Sequence, residues 1–278
     1  MQIGFFSYNT DYGIRPDVLA EALEERGFNS LWVGEHTHIP ANHKTPFPGG
    51  IKLPEPYYHM MDPMVSLSMA ISVTRNLRVG TGISLVVQHD PIELAKAIST
   101  LDYLSDGRFE FGIGGGWLKE EMENHGFSFS KRWKLLRERV EALKEIWGND
   151  QATYSGEFVK FEKIISNPKP IQRPHPPILM GGATTNSLKR VARYCDGWMP
   201  IDALLSKPTE MVAQLRSFLK EEGRDPYAIL LSVFCQRNRD LKSLKIYEDA
   251  GFTRAIIALP NKNQNEILRF MDSYITRN

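Results

Sequence analysis

The sequence predicts an α/β protein folded as a single (β/α)8 TIM barrel. Short β-branched and aromatic segments alternate with segments of helical periodicity from end to end, and there are eight such strand-like segments. They are almost continuously apolar, which is typical of strands covered by helices on both faces. A length of 278 residues suits one barrel domain over residues 1–278. An open doubly wound sheet is the main structural alternative.

The eight predicted strands are short and apolar. They cover residues 3–7, 30–34, 77–84, 108–113, 177–180, 197–200, 229–234 and 254–259.

Start and stop signals bound the helices between them. Pro16 and Gly27 delimit a helix over 16–26, Asp62 and Pro63 open another, and Asp90 precedes a third that ends at Gly107. Further helices are predicted over residues 131–147, 187–195, 209–219, 241–249 and 266–275.

Two connections are longer than a barrel needs. Residues 37–61, after the second strand, hold five prolines and a Gly-Gly pair, and residues 148–176, before the fifth strand, contain a predicted hairpin at 154–158. Loops of this length in a compact domain are usually functional, although some are decoration.

Composition excludes several partners. Lys and Arg number 34 against 33 Asp and Glu, and a net charge of +1 gives no field for a polyanion, so nucleic acid is not expected. No apolar run is long enough to span a membrane, and the first residues lack the features of a leader, so a cytoplasmic protein is expected. Cys195 and Cys235 are interpreted as small buried hydrophobic residues.

Barrel enzymes carry their reactive groups at the carboxyl ends of the strands. The second strand ends in Glu35-His36-Thr37-His38, and His-x-His is the first ligand pair of many barrel metal hydrolases. The fifth, sixth and eighth strand ends add no histidine, so no metal is predicted. His36 is instead a candidate acid–base group, with a purely structural role as the alternative.

Three other strand ends are rich in small and hydroxyl residues. Glycines beside Trp117 would let a flat ligand lie on the backbone after the fourth strand, although a tight structural turn explains them as well. Hydroxyls at a helix start after the fifth strand suit a phosphate, or else an ordinary helix cap. The residues concerned are Gly82, Ile83 and Ser84 after the third strand, Gly114 and Gly115 after the fourth, and Gly181, Gly182, Ala183, Thr184 and Thr185 after the fifth.

With these residues in view, the chain resembles the luciferase-like family of flavin- and deazaflavin-dependent oxidoreductases, in particular its compact branch dependent on coenzyme F420. The resemblance runs from Ile3 to about Pro260 and is carried most specifically by residues 173–182 and 192–198, with support from 31–36 and 112–117.

The resemblance implies a flavin or deazaflavin ring lying across the strand ends. It implies that the phosphate is held by Gly181, Gly182, Ala183 and Thr184, and that the Gly82–Ile83 peptide bond matches a non-proline cis bond common in the family. His36 matches a histidine that approaches the ring in sugar-phosphate dehydrogenases of the family. Their glutamate acid is replaced here by Trp117, so their substrate does not carry over.

The predicted reaction is hydride transfer between coenzyme F420 and a small organic substrate, with His36 and Trp117 as the catalytic candidates. Phe6, Tyr8, Glu35 and Gln236 are the predicted substrate-pocket residues. The alternative cofactor is FMN, reduced by a partner reductase, in a monooxygenase; a non-catalytic cofactor binder is a further alternative. Family habit implies a homodimer or larger homo-oligomer.

Overall fold

Eight parallel strands close into a barrel in the computed structural model, which describes residues 1–50 and 52–275. The barrel strands are β1 (Gln2–Ser7), β2 (Ser30–Val33), β3 (Arg78–Thr81), β4 (Phe109–Ile113), β7 (Ile178–Met180), β8 (Gly197–Trp198), β9 (Leu230–Cys235) and β10 (Arg254–Ala258), and the remaining two are β5 (Ala152–Ser155) and β6 (Lys160–Ile164). Around the barrel the neighbours run β1-β2-β3-β4-β7-β8-β9-β10, and β10 pairs with β1. The predicted (β/α)8 fold and all eight predicted strands are therefore confirmed.

The helices of the described residues surround the barrel. They are α1 (Pro16–Glu25), α2 (Pro63–Val73), α3 (Pro91–Leu104), α4 (Lys119–Asn124), α5 (Arg132–Gly148), α6 (Thr185–Tyr194), α7 (Pro208–Glu221), α8 (Lys245–Asp249) and α9 (Gln264–Asp272). None of them is both long and apolar enough to cross a membrane.

The predicted helix starts are formed by the expected side chains. Asp62 accepts a hydrogen bond from the Val65 amide at 2.9 Å, and Asp90 accepts from the amides of Ile92 and Glu93 at 2.8 and 3.1 Å. Both aspartates stand directly before a proline at the first helical position, where its missing N–H costs nothing.

Three helix predictions need correction. The six-residue helix α4 was not predicted, because it is shorter than the periodicity needed to recognise it. The helix predicted over 241–249 begins only at Lys245, since Ser243 bonds back to Asp240 and holds a turn instead. Asn263 caps the last helix, which therefore starts at Gln264 and ends at Asp272.

Alternation along the strands separates two apolar clusters. Phe5 and Leu31 face the helices, whereas the next residues, Phe6 and Trp32, point into the barrel. The interior cluster also contains Leu179, Met199, Phe234, Ile256 and Ala258. Its carboxyl-end members form the base on which the site is built.

The predicted hairpin is confirmed as the antiparallel pair β5 and β6, in which Gly156 N–H donates to the Val159 carbonyl at 2.8 Å. The Phe158 amide donates to Glu138 at 2.7 Å and so attaches the hairpin to α5. Cys195 and Cys235 are buried free thiols, as predicted, and burial raises the pKa of each.

Candidate active site

A cavity of about 370 Å3 lies at the carboxyl ends of the barrel strands, within the size range of small-molecule sites. The structure brings most of the predicted site residues together around it. They are Phe6, Glu35, His36, Gly82, Ile83, Gly114, Gly115, Trp117, Gly181, Gly182 and Gln236. Sequence reasoning missed further lining residues, which include Tyr57, Met60, Trp133, Met180 and Met199.

Five predicted residues lie outside this lining. Ser84 is completely buried beneath it, and Ala183, Thr184 and Thr185 follow the lining glycines on the way into α6. Tyr8 was placed in the substrate pocket, but its ring packs behind the wall instead, 5.2 Å from the ring of Phe6 and 5.7 Å from that of Tyr57.

The Gly82–Ile83 peptide bond is cis, as the family resemblance implied. The two hydroxyls beside it are both engaged within the protein: Thr81 donates to the Gly112 carbonyl at 2.7 Å, and Ser84 donates to the Glu35 carboxylate at 2.8 Å. The Ser84 amide also donates to Gly112 at 2.7 Å, which continues the pairing of the third and fourth strands past the end of β3.

Glu35 reaches the cavity wall, but its carboxylate is fully engaged. It accepts hydrogen bonds from Ser84 Oγ at 2.8 Å, from the Leu85 amide at 2.5 Å and from His89 Nε2 at 2.7 Å. Burial opposes its ionisation, yet the bonds and charge of His89 and the two further donors hold the pKa of Glu35 below its usual value. Glu35 therefore shapes the wall and is not a free carboxylate toward substrate.

Gly114 and Gly115 follow β4, and neighbouring side chains already occupy the space that a Cβ would need at either position. A Cβ on Gly114 would lie 2.0 Å from Ile83 Cδ1, and one on Gly115 would lie 2.9 Å from the Trp133 ring. Backbone is thus exposed to the cavity between two apolar side chains, and this is the surface that a flat ring needs.

The loop after β7 supplies the other end of the cavity. Gly182 has a φ of +87°, which only glycine adopts without strain, and its carbonyl accepts a 2.7 Å bond from Trp198 Nε1. Thr184 accepts from the Ser187 amide at 3.2 Å and caps α6, so the helix-cap interpretation of this residue is confirmed. The first-turn amides of α6 follow directly, as an anion site requires.

His36 is held by a residue that the sequence analysis did not identify. Its Nδ1 lies 2.8 Å from Oε2 of Glu121, and the two side chains are 7% and 1% exposed. Glu121 lies on α4, between Leu118 and Met122, which are also buried. The spacing of Leu118 and Met122 was the available signal, because helical periodicity places Glu121 on the same buried face.

The rings around His36 form an aromatic wall, defined here as Phe47, Tyr57 and Trp117. The His36 ring centroid lies 5.3 Å from that of Tyr57 and 5.9 Å from that of Trp117. Phe47 contacts both of these rings, at 5.3 and 5.6 Å. Phe47 and Tyr57 belong to the long loop after β2, and this loop contributes Tyr57 and Met60 to the cavity lining.

Helix α4 fastens that loop to the barrel. Glu120 accepts bonds from the amides of Lys44 and Thr45 at 2.8 and 3.1 Å, and His38 bonds to Asn124 at 2.9 Å. Partial burial opposes ionisation of Glu120, but the bonds from Thr45 and Lys44 prevail and lower its pKa to about 2.

His36 and His38 do not converge as metal ligands. His36 bonds to Glu121, whereas His38 bonds to Thr37 and Asn124. Within residues 1–50 and 52–275, no group of three or more His, Cys, Asp or Glu side chains could hold a metal ion.

Gln236 reaches the cavity from the end of β9. A single buried carboxylate, Asp202, positions this segment, because it accepts bonds from the amides of Gln236, Arg237 and Asn238 at 3.2, 2.9 and 2.7 Å. The side chain of Gln236 is thereby presented to the site by a fixed backbone.

Together the fold and the site define a (β/α)8 barrel with a glycine-rich, aromatic-lined cavity at the carboxyl ends of its strands. The luciferase-like monooxygenase family model matches residues 17–263. The chain belongs to this family. Its relatives within the family include both coenzyme F420-dependent and flavin-dependent oxidoreductases.

Individual relatives agree with this assignment. An uncharacterized protein of Mycobacterium tuberculosis is 36% identical over 278 residues, with 98% of this chain and 96% of that protein covered. The oxygenase component of a flavin-dependent trigonelline monooxygenase from Acinetobacter baylyi is 30% identical over 171 residues, covering 61% of this chain and 43% of the relative. An F420-dependent secondary alcohol dehydrogenase, solved with an F420-acetone adduct, superposes with a TM-score of 0.78 at 17% identity, covering 100% and 99% of the two chains, and supports the fold.

Proposed function

We propose that the chain acts as one domain over residues 1–278 and is a coenzyme F420-dependent oxidoreductase that moves a hydride between the cofactor and a small organic substrate. The observation that carries the proposal is the paired His36 and Glu121 at the wall of a glycine-floored cavity. The bound deazaflavin would supply the hydride donor or acceptor. The pair argues against the non-catalytic alternative, since a buried carboxylate oriented on a cavity histidine is typical of acid–base sites.

The cofactor fits the residues present. Gly114, Gly115 and Ile83 would support the ring, because all three line the cavity and the absence of a Cβ on Gly114 lets Ile83 pack directly against its backbone. Gly181, Gly182 and the first turn of α6 would hold the phosphate through backbone amides, and Thr184 and Thr185 flank it.

His36 would hold or accept a proton at the substrate. A carboxylate at Glu121 accepts a hydrogen bond from Nδ1–H of His36, which leaves the lone pair of the ring on Nε2. Within the described residues, Nε2 of His36 has no hydrogen-bond partner. The remaining nitrogen is therefore able to exchange a proton with a ligand in the cavity. Such a group typically contributes about 10²–10⁴-fold to the rate.

The aromatic wall would exclude water and favour an apolar substrate. Trp117 and Tyr57 contact His36 directly, and Phe47 closes the gap between them. Phe6 and Gln236 would contact the substrate from the opposite strands, with Gln236 as the polar contact.

FMN is the second candidate cofactor. It is favoured by the 30% identity with the flavin-dependent trigonelline monooxygenase, and it would require a partner reductase to supply reduced flavin. Reduced FMN reacts with oxygen and a deazaflavin scarcely does, so the two cofactors lead to different reactions.

A fluorescence titration of the purified apoprotein with F420 and with FMN, side by side, tests the proposal. Saturable binding of F420 with much weaker binding of FMN is the expected result. A preference for FMN would make the protein a flavin monooxygenase, and binding of neither would overturn the ring site itself.

The homo-oligomer and the cytoplasmic location stay predictions. One surface feature bears on the first: α2 exposes Val65, Met69 and Val73 at a spacing of four residues, on one face of the helix. Exposed apolar stripes of this kind are a common feature of subunit contacts.

A further inference from the structure

A second cleft adjoins the cavity on the side of the fifth and sixth helices. Its volume is about 260 Å3, and Trp133 separates it from the cavity, because this residue lines both. We call it the cationic cleft and define it by its lining residues, which are Trp133, Lys134, Arg137, Arg190, Arg193 and Tyr194. Four of these six side chains carry a positive charge.

Two arginines pack on the ring of Trp133, the residue shared by the cavity and the cleft. The Arg190 guanidinium carbon lies 4.1 Å from the centroid of the Trp133 ring, and Arg132 approaches the same ring at 5.1 Å. Within the described residues, neither arginine has a carboxylate at ion-pair distance. Burial lowers the pKa of Arg132, and the nearby charge of Arg190 lowers it further.

One donor beside this cleft also lacks a partner. The Nε of Arg132 is buried and makes no hydrogen bond within the described residues, whereas the Nε of Arg137 lies 3.6 Å from Glu141. Guanidinium groups bind carboxylates and phosphates through paired hydrogen bonds, so unpaired arginine donors are suited to an anionic ligand.

Three of the four cleft cations have a carboxylate partner, and Arg190 is the one without a partner at ion-pair distance within the described residues. Glu141 lies 3.6 Å from Arg137, Glu222 lies 3.2 Å from Arg193, and Glu157 pairs with Lys131 and Lys134. All of these pairs are solvent-exposed and contribute little, so a ligand anion can replace them.

We propose that the cationic cleft binds an anionic chain attached to the ligand of the cavity. For coenzyme F420 this chain is the oligoglutamate tail beyond the phosphate. The placement follows from α6: its start is the proposed phosphate site, and Arg190 and Arg193 lie one to two turns further along the same helix. A molecule that extends past Trp133 therefore enters the cleft. The inference rests on the proposed cofactor and adds a site to it.

Binding measured by fluorescence titration of the full chain tests the cleft without any turnover. The ligands are F420 with a long oligoglutamate tail, F420 with a single glutamate, and the deazaflavin chromophore that lacks phosphate and tail. We expect the wild type to bind the long-tailed form about 10-fold more tightly than the single-glutamate form, and this preference to fall as salt rises.

The variant Arg190→Ala/Arg193→Ala should lose the preference for the long tail. It should leave the affinity for the tailless chromophore unchanged, which shows that the ring site is intact. Lys189→Ala is the matched control: it removes a charge from the same helix, but Lys189 lies against Phe218 of α7 and not in the cleft.

The outcomes separate the two proposals. Equal affinity for long and short tails in the wild type, or a preference that survives in the double variant, would overturn the cleft while leaving the cofactor assignment standing. Failure of every F420 form and of the chromophore to bind would overturn both.

Discussion

His36 and Glu121 lie 85 residues apart in the chain, and their side chains meet at 2.8 Å beneath the aromatic wall. The contact joins the end of β2 to α4, so the short helix both orients the candidate acid–base group and fastens the loop above it.

Replacement His36→Ala should lower turnover by about 10²–10⁴-fold, since it removes the only proton-exchanging group proposed at the ring. The cofactor dissociation constant should stay unchanged, because the ring and the phosphate are held by backbone at other strand ends. Steady-state kinetics and titration of the same preparation give both values. His59→Ala is the control, from a partly exposed histidine of the long loop after β2 that does not line the cavity. Wild-type turnover in His36→Ala would remove its catalytic role.

Glu121→Gln keeps the shape of the buried side chain but removes its charge. The amide no longer selects the tautomer with its proton on Nδ1, so turnover should fall by about 10-fold, less than in His36→Ala, with cofactor affinity unchanged. Glu123→Gln, on the exposed face of α4, should behave like the wild type. A parallel loss of cofactor binding and thermal stability would indicate that Glu121 only supports the fold.

Gly114→Ala should weaken cofactor binding by about 10-fold. The new Cβ would lie 2.0 Å from Ile83 Cδ1, so the Ile83 side chain must move, and overpacking of this kind costs about 1–3 kcal/mol. Titration with the preferred cofactor measures the effect. Gly148→Ala is the matched control, because a Cβ there meets nothing within 4 Å. Unaltered affinity in Gly114→Ala would mean that the ring does not lie on this strand end.

Glu120→Gln should loosen the long loop without unfolding the barrel. The carboxylate holds the Lys44 and Thr45 amides, and a neutral amide is a weaker acceptor. Limited trypsin digestion at Lys44 and Lys52 should therefore be roughly 5-fold faster, while the urea midpoint stays the same. Glu123→Gln is the control variant. If cleavage at these lysines is no faster in Glu120→Gln than in the wild type and in this control, α4 does not fasten the loop.

The buried pair of Glu35 and His89 should make stability depend on pH in a defined window. Burial opposes the charge of His89, but its bond to Glu35 prevails and raises its pKa above the ordinary 6.5, while that of Glu35 is lowered from 4.5. The stability contributed by charged His89 is fully present below pH 6.5 and is lost as the pH rises through its raised pKa. The stability contributed by charged Glu35 is fully present above pH 4.5 and is lost as the pH falls through its lowered pKa.

His89→Gln should therefore destabilise the protein more at pH 5.5 than at pH 9. Urea unfolding at both values measures the difference, with His59→Gln as the control, because exposed ion pairs contribute little. An equal loss at the two pH values would show that the pair is not ionised as described.

The predicted residues that the structure brings together at the cavity are most often glycines, at positions where the backbone itself forms the wall. Gly82, Gly114 and Gly181 lie at strand ends, and the ends of parallel strands in a barrel necessarily meet, so their convergence could be predicted from local pattern alone. Tyr8 was misplaced because it stands at a strand end too, yet the packing of Phe6 and Tyr57 keeps it behind the wall. The position of a residue along a strand predicts the end of the barrel at which its side chain lies, but it does not predict which side chains it contacts.

Sequence by itself determined the barrel, its strand ends and the helix caps, because these depend on periodicity and on residues a few positions apart. It also determined that glycines and His36 face one cavity. Only the tertiary structure decided which groups pair: Glu121 with His36, Glu35 with His89, and the arginines of α5 and α6 around Trp133. Those contacts join segments far apart in the chain, and they form only when the closed barrel fixes the distances between its loops.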